Sequence, residues 1–439
     1  MSTLKKVPNS LEQHWMPFTA NRHFKANPRL IVGAKGMYYT SHKGHQVLDG
    51  SSGLFCVAAG HGRREIADAV HEALTDLDYA PPFQFGHPVT FELSRRIAAL
   101  TPGDLNHVFY TNSGSESVET ALKIALAYHR ARGESQRMRL VGRERGYHGV
   151  NFGGISVAGM VNNKKAFGLG LPGVVHLRHT LLPEHKFTVG QPETGKELAD
   201  DLQRFVDLHG ADAVAACIVE PIAGSTGVLV PPKGYLNRLR EICDKNHILL
   251  IFDEVITAFG RTGKQYGADS FGVVPDIITM AKALTNGVVP MGAVAVSDRV
   301  YETIANASPE TAIELFHGYT YSGCPVAAVA ALVTRDIFEK EKLVERAAQL
   351  TPKFLEALYS LKDLPVVTDI RGYGLLGGVD LAPKDAPGLR GLAVMQQLYD
   401  AGLMVKLTGD CVLISPPLVS EPAHIDQIFT TLRDVLKTH

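Results

Sequence analysis

Two short apolar runs in the middle of the chain, Ile248–Phe252 and Ile277–Met280, constrain the fold more than any other feature of the sequence. The first run leads into Asp253, and the second leads into Lys282. Short runs rich in Ile and Leu predict buried strands of a parallel sheet. Ligands of open α/β sheets bind beyond the carboxyl ends of the strands. We therefore expect an acid and an amine to meet at one edge of one sheet.

The predicted pair, Asp253 and Lys282, suits one kind of chemistry. A buried lysine can lose its proton and attack a carbonyl group to form an imine. A fixed carboxylate can keep a heterocyclic nitrogen protonated, and pyridoxal phosphate requires both groups. Each residue also has an ordinary interpretation, because aspartates often cap helices and lysines are mostly solvated surface charges. The prediction therefore depends on what the rest of the chain adds.

The composition excludes several classes of function. Lys plus Arg number 44 and Asp plus Glu number 45, which argues against non-specific binding to nucleic acid or to a membrane surface. No run approaches about twenty uninterrupted apolar residues, so we expect no membrane span. Five scattered cysteines without a C-x-x-C motif predict a reduced compartment, the cytoplasm, with no zinc site or disulfide framework.

A second informative stretch joins a short strand to a long helix. His107–Tyr110 has the pattern of a strand, and Glu116–Arg132 has that of a helix. The junction Ser113, Gly114 and Ser115 places backbone N–H groups and two hydroxyls at a helix N-terminus, which predicts an anion site. The ordinary alternative is simple N-capping by one of the serines.

Two further predicted strands end at residues able to take part in chemistry. Tyr147 follows the strand Arg139–Val141 and lies between glycines, where its ring could stack on a flat cofactor or simply pack on a loop. Glu220 follows the buried strand Ala213–Val219. Residues 160–195 show no clear periodicity, and we predict loops there.

The order of elements predicts an α/β protein with a large domain, built on a mostly parallel, helix-flanked sheet, and a smaller α+β domain. We expect an N-terminal arm and small-domain segment at 1–60, the large domain at 61–324 and the C-terminal small domain at 325–439. In the arm, Phe18 is either a hydrophobic anchor or part of a pocket. Near the C-terminus, Leu403–Lys406 is predicted as one strand of a hairpin.

Several motifs together resemble those of the class III aminotransferases, pyridoxal-phosphate enzymes of fold type I. They are NSGSESVETALKIA, GYHG, VEPIAGSTGVLVPP, FDEVITAFGRTG, AKALTNG and HGYTYSGCP. The resemblance covers nearly the whole chain. Within the family, HWMPFTANRHFKANPRL and LDGSSGLFCVAAGHGR look most like the ω-amino acid:pyruvate (β-alanine:pyruvate) group. The resemblance implies a ping-pong transaminase that binds pyridoxal 5'-phosphate and works as a homodimer or a dimer of dimers.

The resemblance also implies roles for individual residues. Lys282 would bind the cofactor covalently and later move the proton, while Asp253 would pair with the pyridine nitrogen. Thr320 would reach the phosphate bound by the neighbouring subunit. His148 and Glu220 would support the residues that contact the cofactor. The implied cofactor-binding residues are Ser113, Gly114, Ser115, Tyr147, His148, Glu220, Asp253, Val255, Lys282 and Thr320, with Tyr147 and Val255 on the two faces of the ring.

The substrate is less well specified, and the implied substrate-binding residues are Phe18, Phe55, Tyr147 and Lys406. The ω-amino acid group usually carries Trp in place of Phe55 and Arg in place of Lys406. Lysine attracts a carboxylate as a point charge, whereas arginine offers a two-pronged fork. We expect β-alanine and pyruvate as the leading pair. Taurine-like, 4-aminobutyrate and diamine donors remain open, as does a solvated Lys406.

Other functions on the same scaffold are an aminomutase or a decarboxylase, either of which would release product without a second substrate. A cofactor-binding regulator without turnover would normally need an added DNA-binding segment, and the sequence has no basic arm or spare domain for one. We therefore expect a transaminase that acts on small molecules.

Overall fold

A computed structural model describes residues 6–168 and 170–439, so the first five residues of the predicted 1–60 segment, and Leu169, lie outside the described part. The strands are β1 (Ile31–Lys35), β2 (Tyr38–Ser41), β3 (Gln46–Asp49), β4 (His107–Thr111), β5 (Arg139–Arg143), β6 (Val175–Leu177), β7 (Val214–Val219), β8 (Leu249–Asp253), β9 (Ile277–Met280), β10 (Gly292–Val296), β11 (Val367–Tyr373), β12 (Leu376–Leu381), β13 (Leu403–Met404), β14 (Lys406–Thr408) and β15 (Cys411–Ile414).

The helices alternate with these strands through the middle of the chain. They are α1 (Asn21–Ala26), α2 (Ser52–Phe55), α3 (Arg64–Asp76), α4 (Pro88–Ala98), α5 (Gly114–Ala131), α6 (Phe152–Val157), α7 (Val161–Phe167), α8 (Asp200–His209), α9 (Tyr235–Asn246), α10 (Gly267–Phe271), α11 (Asp298–Ala305), α12 (Pro325–Lys340), α13 (Leu343–Tyr359), α14 (Leu389–Asp400) and α15 (Pro422–Leu436). Within α2 the backbone departs from helical geometry at Gly53 and Leu54, so this element is an irregular turn.

The largest sheet has seven strands in the order β4-β10-β9-β8-β7-β5-β6. Strands β6, β5, β7, β8 and β9 pair parallel to their neighbours. Strand β10 runs antiparallel to both β9 and β4. The mostly parallel sheet and the α/β fold class predicted from the sequence are therefore confirmed.

The central strands explain why the apolar runs predicted this sheet so well. Every residue of β7, β8 and β9 is buried. Alternate residues face opposite sides, because Leu249 and Ile251 pack in the cluster that contains α5, whereas Leu250 and Phe252 pack in the cluster that contains α9 and α12. Helices on both faces require both faces of the strand to be apolar, so the strand appears as an uninterrupted run.

The predicted absence of regular elements across residues 160–195 is wrong. Helix α7 and strand β6 both lie in this region, and short 3₁₀ turns follow. Strand β6 is only three residues long and pairs parallel with β5 at the edge of the large sheet. Three residues are too few to establish a periodicity of two, so the pattern could not reveal the strand.

Two four-stranded sheets complete the fold, with the orders β1-β2-β3-β13 and β11-β12-β15-β14. The single strand predicted at Leu403–Lys406 is wrong, because the chain divides at Val405. Strand β13 pairs parallel with β3 of the N-terminal region, and β14 pairs antiparallel with β15. The division places Lys406 as the first residue of β14, beside a segment that is tied to the N-terminal hairpin.

Two aromatic side chains of the N-terminal arm are exposed, Trp15 at 89% and Phe18 at 81%, whereas Phe24 is buried. Phe24 lies in α1, which is only six residues long. No helix of the described chain is long and apolar enough to cross a bilayer.

Candidate active site

A cavity of about 140 Å³ opens at the carboxyl ends of the central parallel strands. It gathers residues that arrive from four strand ends and from the start of α5. The lining residues are Gly114, Ser115, Tyr147, His148, Gly149, Glu220, Asp253, Val255, Ile256, Ala281 and Lys282. The strand ends that the sequence singled out therefore converge on one place, as the geometry of parallel sheets requires.

Asp253, the last residue of β8, is buried and held by three neighbours. Its Oδ2 lies 2.8 Å from His148 Nδ1. Its Oδ1 accepts hydrogen bonds from Thr279 Oγ1 at 3.1 Å and from Val255 N at 3.2 Å. Because these contacts occupy both oxygens, the carboxylate has a defined orientation toward the cavity.

Lys282 follows β9 and is placed by an uncommon backbone conformation. Its φ is 51°, in the left-handed region that a residue with a side chain rarely adopts. Burial lowers the pKa of the Lys282 ammonium, while Cys56, Asp253 and Glu220 act in the opposite direction. A lowered pKa leaves more of the amine neutral, which is the form that attacks a carbonyl carbon.

Glu220, at the end of β7, supports the loop that carries Tyr147. Its Oε1 accepts from Tyr147 N at 2.9 Å, and its Oε2 accepts from Gly224 N at 3.1 Å. Burial raises the pKa of Glu220, and nearby Asp253 adds to the increase. Both oxygens bond to backbone N–H groups, so the side chain positions the loop.

The start of α5 has the geometry predicted for an anion site. Ser113 caps the helix, and its Oγ accepts from Glu116 N at 3.2 Å. Gly114 is the first helical residue, and a Cβ there would lie 2.9 Å from Val255 Cγ1. Ser115 follows it at the cavity wall. The remaining N–H groups and the helix dipole at this end favour an anion.

Phe55 and Lys406 lie beside Lys282, although they come from opposite ends of the sequence. Nζ of Lys282 is 5.4 Å from the centre of the Phe55 ring, and Nζ of Lys406 is 5.5 Å from it. Lys406 is half-buried at the start of β14, and its role as a carboxylate ligand stays a prediction. Burial, followed by the charge of Lys282, lowers the pKa of Lys406 to about 8.

Five predicted site residues are not part of the cavity lining: Ser113, Phe55 and Lys406, whose places are given above, and Phe18 and Thr320. Phe18 is exposed in the N-terminal arm and does not line the cavity. Thr320 is also exposed, and its carbonyl oxygen accepts from the Tyr79 hydroxyl at 3.0 Å. The expected role of Thr320 concerns a neighbouring subunit, so it stays a prediction.

The sequence analysis missed Thr279, Gly149, Ile256 and Ala281. Thr279 is the polar member of the otherwise apolar β9, and a buried polar residue in such a strand is a signal that could have identified it. Gly149 was noticed only as a flank of Tyr147. A Cβ at Gly149 would lie 2.4 Å from Ser115 Oγ, so only glycine fits beside the start of α5.

Comparison with known proteins identifies the family. Residues 19–436 match the model of the class-III aminotransferases. The chain is 53% identical to an omega-aminotransferase of Caulobacter vibrioides, over 98% of each chain. It is 50% identical to a beta-alanine–pyruvate aminotransferase of Pseudomonas aeruginosa, over 97% of this chain and 96% of the relative.

Solved structures agree with these relatives. An (S)-enantioselective omega-transaminase from Thermomicrobium roseum is 36% identical, with a TM-score of 0.89 over 97% of this chain and 96% of that one. The omega-transaminase of Pseudomonas jessenii in complex with PMP is 31% identical, with a TM-score of 0.92 over 98% of each chain. The expected fold type and the expected resemblance are both confirmed. This chain is an enzyme of the class-III aminotransferase family.

Proposed function

We propose that this aminotransferase uses pyridoxal 5'-phosphate to move an amino group from an ω-amino acid to a 2-oxo acid, with β-alanine and pyruvate as the leading pair. The observation that carries the proposal is that Lys282 and Asp253 line one cavity that also borders the start of α5. The two relatives described above support the choice of substrates, because their names specify omega-amino or beta-alanine donors and, in one case, pyruvate.

The residues of the cavity fit this cofactor. Glycines at positions 114 and 149 let Val255 and Ser115 pack directly against the backbone beside the start of α5. The N–H groups at that helix end offer the phosphate an anion site. Asp253 offers a fixed carboxylate for the pyridine nitrogen, and Lys282 offers an amine for the carbonyl carbon. When bound, pyridoxal phosphate would supply an electron sink for the negative charge that forms when the carbon bearing the donor's amino group loses a proton.

The side chains of the site have separable tasks. Lys282 Nζ, with its lowered pKa, binds the carbonyl carbon, and once released it accepts and returns a proton. Asp253 keeps its negative charge in one place because His148 and Thr279 hold its two oxygens. Burial raises the pKa of Tyr147, so its phenol stays neutral where it faces the cavity.

Separate half-reactions test the proposal. With β-alanine alone, the absorbance of the bound cofactor should change, and one equivalent of carbonyl product per site should form and then stop. Addition of pyruvate should restore the absorbance and release alanine. Product that continues to accumulate without pyruvate would instead indicate an aminomutase or a decarboxylase, and would contradict the proposal.

We propose further that Lys406 binds the carboxylate of the donor. Replacing Lys406 with methionine should raise KM for β-alanine about tenfold and change KM for propylamine less than about twofold, since only β-alanine carries a carboxylate. Steady-state kinetics with the two donors measure the ratio. Equal effects on both donors would place the carboxylate elsewhere.

The pH dependence of KM for β-alanine gives the control for the assignment of Lys406 as the carboxylate ligand. The pKa of Lys406 is about 8, so its positive charge, and the carboxylate binding that depends on it, should be lost as the pH rises through 8. KM for β-alanine relative to propylamine should then increase, and propylamine corrects for titration of the donor amine. The variant Lys406→Arg should keep the ratio low at higher pH, because arginine stays protonated.

The assembly proposed for this site is a homodimer or a dimer of dimers in which Thr320 reaches the phosphate of the neighbouring subunit. Large apolar side chains are exposed near Thr320, including Phe83, Phe85 and Phe316. Contiguous exposed apolar surface is typical of an interface. A molar mass of one chain in sedimentation equilibrium would contradict this proposal.

We also propose, from the sequence, a cytoplasmic location and the domain boundaries 1–60, 61–324 and 325–439.

A further inference from the structure

The turn that carries Phe55 is organised around a buried carboxylate. Asp49, the last residue of β3, has no exposed surface. Its Oδ2 accepts from Gly53 N at 2.7 Å and lies 2.8 Å from His61 Nε2, and its Oδ1 accepts from Ser51 N at 3.0 Å. A carboxylate only accepts hydrogen bonds, so His61 Nε2 is the protonated nitrogen. The side chain of Asp49 therefore joins Ser51 and Gly53 to His61.

A buried cation holds the turn from another direction. Arg261 is 2% exposed, and it donates to Ser52 Oγ at 3.0 Å and to the carbonyl oxygen of Pro416. Ser52 Oγ in turn donates to the carbonyl oxygen of Ser415 at 2.7 Å. Burial lowers the pKa of Arg261 to about 10, which leaves it protonated at neutral pH, and Asp49 favours that charge. The turn is thus fixed to the segment that follows β15.

The backbone of the turn would not adopt this shape unaided. Ser52, Gly53 and Phe55 have φ values of 50°, 67° and 65°. Two of these residues carry a Cβ, for which the left-handed region is unfavourable. Such conformations persist where surrounding contacts determine them, and they often occur at functional sites. The hydrogen bonds of Asp49 and Arg261 are the contacts that do so here.

The segment that leads into this turn is also joined to β13, which precedes the strand that carries Lys406. Gly50 N donates to the carbonyl oxygen of Met404 at 2.9 Å, two residues before Lys406. The Phe55 ring at the end of the turn approaches both ammonium groups, as described above. The position of the ring relative to Lys282 and Lys406 therefore depends on how the turn is held.

We propose that Asp49 is a positioning residue for donor selection. Together with Arg261, it fixes the turn so that the Phe55 ring bounds the space between Lys282 and Lys406. A space bounded in this way suits a short ω-amino acid. The inference rests on the proposed function, in which Lys282 faces the reacting amine and Lys406 faces the carboxylate. Asp49 itself contacts neither end of the donor. Its effect passes through Phe55 and through β13, which leads into Lys406.

The variant Asp49→Asn tests this in the holoenzyme. An amide at this position cannot accept all three hydrogen bonds of the carboxylate. We expect KM for β-alanine to rise about tenfold and KM for propylamine to rise less than about threefold, with kcat for propylamine affected least. Propionate, which has the carboxylate of β-alanine but no amine, should also bind about tenfold more weakly by calorimetry, a readout that needs no turnover.

The matched control is Asp276→Asn. Asp276 is a buried aspartate that accepts from Leu250 N at 2.7 Å and pairs with Arg240, but it precedes β9 at the opposite end of the sheet from Lys282. The control should lower stability without changing the KM ratio or the affinity for propionate. If Asp49→Asn and Asp276→Asn had the same ratio of KM for β-alanine to KM for propylamine, the proposal would be overturned.

A milder variant, Ser52→Ala, carries the test if Asp49→Asn does not fold. It removes the hydrogen bonds of Ser52 Oγ with Arg261 and Ser415 and keeps Asp49 in place. Ser52→Ala should raise KM for β-alanine relative to KM for propylamine, and it should weaken the binding of propionate. An unchanged KM ratio would overturn the proposal. Failure of the wild type to exchange amino groups with any donor would instead reject the proposed function, because propionate binding tests the positioning separately.

Discussion

Replacing Lys282 with alanine should lower kcat by more than about a thousandfold, with the protein still folded. In the proposed function, the variant loses both the amine that bonds to the carbonyl carbon and the base that moves the proton. General acid–base catalysis alone contributes roughly a hundredfold to ten-thousandfold. Steady-state turnover of β-alanine with pyruvate measures the loss. Added methylamine should restore part of the rate, because a small amine can carry the proton in place of the side chain.

An exposed lysine from the nearby loop gives the control for this prediction. Lys264 is exposed, so Lys264→Ala should leave turnover unchanged. Borohydride reduction of the wild-type holoenzyme followed by peptide mapping should place the cofactor on Lys282 alone. A label on another lysine, or a Lys282→Ala variant that turns over within about tenfold of the wild type, would remove Lys282 from its proposed role.

Replacing Asp253 with asparagine should lower kcat by roughly a hundredfold to a thousandfold while the protein still retains the cofactor. The amide preserves the shape but not the negative charge, and a charge about 4 Å from its partner contributes about 4 kcal/mol at an effective dielectric constant near 20. Retention is expected because the proposed phosphate site, at Gly114 and Ser115, does not include Asp253. Turnover and the cofactor content after gel filtration measure the two effects.

The adjacent acid provides a matched comparison. Glu254 is also buried, but its carboxylate accepts from Thr257 Oγ1 and from the backbone N–H groups of Gly267 and Ala268 at 2.6–2.7 Å. Glu254→Gln should lower the thermal midpoint and leave kcat within about threefold, since this side chain points away from the cavity. If both variants lost the same activity, the charge of Asp253 would have no special role.

Much of the site was predictable because parallel strands simplify its geometry. Asp253 and Lys282 follow buried apolar runs, and the carboxyl ends of neighbouring parallel strands must lie at the same edge. Tyr147 follows the same rule, and the start of α5 reaches the same edge because β4 and β9 both run antiparallel to β10. The structure places all of them around one cavity. None of these placements required knowledge of a contact between distant segments beyond the pairing of the strands themselves.

The unpredicted features depend on contacts between distant segments. The predicted strand divides at Val405 because β13 pairs with β3 and β14 pairs with β15. The two halves of the run therefore belong to two different sheets. No pattern in the sequence singles out Asp49, which ends the short strand β3. Its importance to the turn appears only when His61, Gly53 and the buried Arg261 are seen around it.

The sequence by itself determined the class of sheet, the strand ends that carry Asp253 and Lys282, and the family resemblance, because local periodicity and motif spacing encode all three. Only the tertiary structure decided where Phe55 and Lys406 lie. Their approach depends on the hydrogen bonds that join the turn after β3 to the strands near the C-terminus. Such long-range contacts leave no periodic pattern in the sequence, so the placement of Phe55 and Lys406 beside Lys282 is a property of the folded chain.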